Sequence, residues 1–76
     1  MSFSVDYEVI AGEPDPKGYI WVIERAKGPP LRQPVRLGKK GNLPILVPGW
    51  RPEDGPFHTH FEDQAGRRVS PTIELL

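Results

Sequence analysis

Prolines and glycines cut this chain into pieces too short for anything but strands. There are ten prolines and eight glycines among 76 residues. Proline fixes φ and lacks an N–H, and glycine weakens regular structure, so both punctuate the backbone. Here they fall between apolar runs and form no low-complexity tract. Leu, Ile, Val and Phe together number 20 of the 76 residues, above the fraction below which chains tend to stay disordered. No segment repeats apolar residues at helical spacing over a normal helix length. The expected fold is all-β, a small antiparallel barrel or strongly curved sheet of roughly five to six short strands without a long helix. It is comparable in size with an SH3-like barrel and forms one domain over residues 1–76. A two-sheet sandwich ordinarily takes a longer chain.

The clearest local pattern lies in the stretch from Pro56 to Leu76. Asp63-Gln64-Ala65-Gly66-Arg67 reads as a three-residue hairpin loop, with Gly66 at positive φ. Facing Asp63 with Arg67 pairs Phe61 with Val69, Thr59 with Pro71 and Phe57 with Ile73. Phe57, Thr59, Phe61, Val69, Ile73 and Leu75 then share one face, as a half-buried strand pair requires. The opposite face carries His58, His60, Glu62, Arg68, Ser70, Thr72 and Glu74 and should be wet. One conflict stands out. Thr59 and Pro71 fall at a hydrogen-bonded position, and Pro71 has no N–H to donate. A bulge, an edge or an end of pairing is expected there.

Phe3 to Ile10 alternates apolar and polar residues and reads as a half-buried strand. Tyr19 to Arg25 is apolar on both faces, the mark of a central or doubly covered strand. Ala26 to Pro34 reads as irregular. Val35-Arg36-Leu37 and Leu43 to Val47 read as two short strands joined by Gly38 to Asn42, with Pro44 demoting the second to an edge. Pro48 to Pro56 is a rigid connection around Trp50, with a 3₁₀ turn near Pro52-Glu53-Asp54.

Cysteine is absent, which excludes disulfides and thiolate metal sites. The start lacks the basic segment and apolar run of a secretory leader. No apolar stretch approaches the ~20 residues of a spanning helix. The expectation is a soluble cytoplasmic monomer without membrane contact. The formal net charge is zero, but the charges are segregated. Acids dominate residues 1–16 and 52–76, and basic residues dominate 17–51.

Three surfaces are candidates for function. His58 and His60 lie two apart on one strand, with Cα atoms ~6.8 Å apart, so both imidazoles can reach one metal ion. Arg32, Arg36, Lys39 and Lys40, within the basic run 25–40, have the charge to neutralise phosphates and so bind nucleic acid. Trp50 with Arg51, flanked by prolines, suits a protein-binding hot spot. No nucleophile elbow surrounds any hydroxyl, and so small a chain struggles to enclose a pocket of several hundred Å³. The expected function is therefore a non-enzymatic protein-interaction module without a cofactor. Strand addition at an exposed edge, either Leu43–Val47 or the arm after Gly66, is the expected mode. Nucleic-acid binding and a histidine metal site are the alternatives.

Overall fold

The structure, a computed structural model, describes residues 1–75; Leu76, the last residue of the expected hairpin stretch, lies outside them. Six strands form: β1 (Ser2–Glu8), β2 (Tyr19–Arg25), β3 (Leu31–Val35), β4 (Lys40–Leu46), β5 (Phe57–Glu62) and β6 (Ile73–Leu75), with a 3₁₀ turn at Pro52–Asp54. They make two antiparallel sheets. One is the pair β1-β4, and the other has the order β3-β2-β5-β6. No helix among the described residues is long and apolar enough to cross a membrane.

The barrel expectation needs correction. Neither sheet closes on itself. A two-stranded ribbon lies over a four-stranded sheet, and the two share one core. The length objection to two sheets does not apply, because one layer has only two strands. The core joins Phe3 and Val5 of β1, Trp21 and Ile23 of β2, Phe57 of β5, Leu75 of β6 and Val47 just after β4. All of these are odd-numbered. Successive side chains point to opposite faces of a strand, and the registers keep odd residues opposite odd ones throughout. A slip of one residue in any strand would empty its share of the core.

β3 begins four residues before the expected Val35, inside the segment read as irregular. Its prolines explain both the misreading and the fit. The Ala26 N–H donates to the Pro56 carbonyl at 3.1 Å and continues the β2–β5 ladder. Hydrogen bonding alternates along a strand, so even residues of β2 bond toward β5 and odd ones toward β3. Pro34, opposite Ile20, thus occupies a position that needs no N–H. Pro44 obeys the same rule opposite Ser4. The flanking Met1–Val47 exchange and the bond from the Val9 N–H to the Lys39 carbonyl show that odd residues of β1 bond to β4.

The hairpin turn forms as expected. The Asp63 N–H donates to the Arg67 carbonyl at 2.8 Å, and Gly66 takes φ 83°. The Asp63 carboxylate adds a clasp, accepting the Ala65 and Arg67 N–H groups at 2.9 Å each. Those two N–H groups, Arg67's first, hold its carboxyl below the ordinary range. The Val69 N–H still donates to the Phe61 carbonyl, but beyond it the register slips by two. Thr59 faces Ile73, not Pro71, and Phe57 faces Leu75, not Ile73. The slip removes Pro71 from a position it cannot serve. Because it is an even shift, the faces are preserved. Val69, at the break, and Ile73, beyond it, are not in the core; they are 51% and 49% exposed.

Candidate functional site

The slip opens a groove. It lies between the far half of β1 and the irregular return of the hairpin, with a volume of about 540 Å³, within the usual range of ligand sites. The floor includes Tyr7 and Phe61, whose rings meet edge to face at 6.4 Å. Ile10, Val69 and Ile73 line it as well, and Ile10 is 90% exposed. Among the described residues, three of the four most exposed large apolar side chains therefore converge on one groove; the fourth, Leu46, lies elsewhere. The expectation concerned an enclosed pocket, and this space is not enclosed; it lies open between the two sheets.

Hydroxyls at the groove are engaged in structure. Thr59 Oγ1 accepts from Trp21 Nε1 and donates to the Val22 carbonyl, both at 2.7 Å. Ser70 Oγ accepts the Phe61 N–H at 2.8 Å and donates to the Pro71 carbonyl at 3.2 Å. It fills the gap the register slip leaves in the ladder.

His58 and His60 share the outer face of the four-stranded sheet, as their spacing requires, but that face is not uniformly wet. His60 is only 4% exposed. It sits beside buried Val22, its partner on β2. His60 Nε2 contacts Glu62 Oε2 at 2.7 Å, and Arg32 donates to the other Glu62 oxygen at 2.6 Å. A carboxylate only accepts, so the Nε2 position carries the proton. Nδ1 has no hydrogen-bond partner among the described residues and faces Glu24 at 3.8 Å. His58 faces Glu74 at 4.0 Å. Among the described residues no three His, Asp or Glu side chains converge as a ligand set. The expected Glu62–Arg68 ion pair gives way to Arg32: Glu62 and Arg32 both project from the outer face of the four-stranded sheet and meet across β2, which lies between β3 and β5.

The Arg32 hydrogen bond, followed by that of His60, lowers the Glu62 pKa from an ordinary 4.5 to about 2. The sign follows from linkage. A carboxyl depressed in the folded state stabilises the fold above its unfolded pKa, and the contribution is lost as pH falls through the folded value. An NMR titration of the Glu62 carboxyl should give a midpoint near 2. Arg32→Gln should move it up toward the ordinary range and reduce the acid sensitivity between about pH 5 and 2. An unchanged midpoint in the variant would refute the assignment.

Arg32, Arg36 and Lys39 of the basic run are engaged by separate partners. Arg32 is bound to Glu62. Arg36 Nη1 reaches the Pro16 carbonyl at 3.2 Å, and Lys39 Nζ the Gly12 carbonyl at 3.0 Å. Lys40 opens β4 opposite Glu8 on the other sheet. Trp50 packs against the core. It stacks on Phe57 at 5.9 Å and meets Phe3 edge-on at 6.1 Å, with the Arg25 guanidinium 4.6 Å above its ring. Arg51 is exposed, and its N–H donates to the Asp54 carboxylate at 3.1 Å.

Sequence reasoning assigned Val69 and Ile73 to the core and gave Ile10 no role. The signal that could have found the groove was Pro71, which had to break the ladder and is itself a lining residue. A scan against protein-family models and searches of curated proteins and of solved structures find no match to this chain.

Proposed function

We propose that this chain is a non-enzymatic protein-interaction module whose docking surface is the groove between β1 and the return of the hairpin. The observation that carries this reading is the convergence of Ile10, Val69 and Ile73 on one open groove. Contiguous apolar surface left in water marks an interaction site more often than it serves a monomer. The groove's hydroxyls are occupied with backbone and core partners, which favours binding over chemistry.

The test is selection of peptides from a display library on the full chain, followed by affinity measurements on the double variant Val69→Lys, Ile73→Lys. Both side chains are half exposed, so the variant should fold. Peptides that dock in the groove should lose at least ~10-fold in affinity, the equivalent of about 1.4 kcal/mol. Peptides that bind wild type and variant equally, or that map to Trp50 and Arg51 or to Arg32–Lys40, would refute the groove.

A further inference from the structure

Resting on the groove as a protein-docking surface, we infer that its occupant is an extended segment of a partner protein, with Lys or Arg alternating with apolar residues, that adds as a strand to the free edge of β1. The first support is the hydrogen-bond parity of β1. Its odd residues bond to β4, as the flanking Met1–Val47 and Val9–Lys39 bonds show. The N–H and C=O groups of Asp6 and Glu8 therefore point the other way. Among the described residues β1 has no second strand neighbour.

The second support is where that edge lies. Every residue from Val5 to Ala11 lines the groove. Strand residues of both parities line one space only when the strand presents its edge to it, since one face would contribute alternate residues. The open edge, with its unpaired amides, is thus one wall of the groove. An edge of this kind is a template for another strand.

The third support fixes the chemistry of the guest. A strand laid against β1 places its side chains in cross-strand pairs. Those on the inner side meet Val5 and Tyr7, above Phe61, and should be apolar. Those on the outer side meet Asp6 and Glu8. Four carboxylates line the groove, Asp6, Glu8, Asp15 and Asp63, and no Lys or Arg does. Among the described residues only Asp63 of these four has an ion-pair partner, Arg67 at 3.4 Å, while Asp6 accepts a hydrogen bond from the Asn42 amide at 2.9 Å. Like charges directly opposite destabilise a strand pair and opposite charges stabilise it, so the outer positions of the guest should be Lys or Arg.

The full chain, labelled with ¹⁵N, should be titrated with three synthetic hexapeptides. One alternates Lys with Val and Phe, the second replaces each Lys by Glu, and the third is the Lys peptide with alternate backbone nitrogens methylated. The expected result is saturable shifts at the Asp6 and Glu8 amides with the Lys peptide and slowed hydrogen exchange at both. At least ~10-fold weaker binding is expected for each of the other two peptides and for the variant Asp6→Lys, Glu8→Lys. Equal binding of the Glu peptide overturns the charge assignment, and equal binding of the methylated peptide overturns strand addition. In both cases the docking reading stands if Val69→Lys, Ile73→Lys still abolishes binding. Absence of shifts with the Lys peptide overturns the inference, while library-selected peptides lost on that same double variant would still support the groove.

Discussion

Trp21→Ala should leave the chain largely unable to hold its native fold at 37 °C. Trp21 is 2% exposed and stands at the middle of β2, which pairs with β3 on one side and β5 on the other. Its ring stacks on Phe61 at 6.3 Å. Removing a buried aromatic side chain costs roughly 3–5 kcal/mol. A domain of this size has a total stability of roughly 4–11 kcal/mol. The loss is therefore a large share of the whole, equivalent to a fall in Tm of at least ~12 °C. Trp21→Phe separates packing from polarity. It keeps a ring but deletes the N–H that Thr59 Oγ1 accepts, leaving a buried hydroxyl with one bond fewer, at a cost of about 1–3 kcal/mol. Urea denaturation of both variants gives the order. If Trp21→Ala unfolds with a midpoint near wild type, β2 is not the centre of the core.

That centre was legible in the sequence, since a run apolar on both faces belongs in the middle of a sheet. The turn at Asp63–Arg67 was legible for a similar reason. Its geometry is set by residues adjacent in the chain, with glycine where φ must be positive. β3 was not legible. Pro29, Pro30 and Pro34 argue against a strand unless one knows that Pro34 falls where the ladder needs no N–H, and that depends on the phase of β2 against β5. The burial of His60 was hidden for a related reason: it depends on Val22 and on the Arg32–Glu62 pair, supplied by three different strands. The groove is the extreme case. Pro71 signals only that the hairpin pairing must break; that the far half of β1 faces the opening, from a segment distant in sequence, is written in no local pattern.

The proline device links these points to function. Pro34 and Pro44 sit at non-bonded positions and leave their ladders intact. Pro71 fell at a bonded one in the simple register, and the hairpin shifted by two to escape it. Ile73, in the shifted register, and Val69, still paired with Phe61 beside the break, both line the groove. One residue's missing N–H thus coincides with the break in the ladder beside which these two apolar side chains are left exposed.

Trp50→Ala should destabilise the fold by about 2–3 kcal/mol and leave groove binding unchanged. Trp50 is half-buried, and three contacts hold it: the stack on Phe57, the edge contact with Phe3 and the guanidinium of Arg25 above its ring. Aromatic pairs of this geometry contribute about 0.5–1.5 kcal/mol each beyond area, and a partly exposed cation–π contact about 0.5–1 kcal/mol. Arg25 is in turn fixed by Asp54 at 3.2 Å and by the Pro29 carbonyl at 3.2 Å. The indole therefore closes the end of the core where the 48–56 connection crosses it, and it is not among the groove's lining residues. Arg51→Ala, at an exposed side chain, should stay within about 0.5 kcal/mol of wild type. A double-mutant cycle of Trp50→Ala with Arg25→Ala should show a coupling near 0.5–1 kcal/mol. Denaturant midpoints and the affinity of groove-selected peptides, measured on the same samples, distinguish the two roles of the indole. Loss of peptide binding with stability intact would return Trp50 to the docking surface, whereas loss of stability with binding intact in the folded fraction places it in the core.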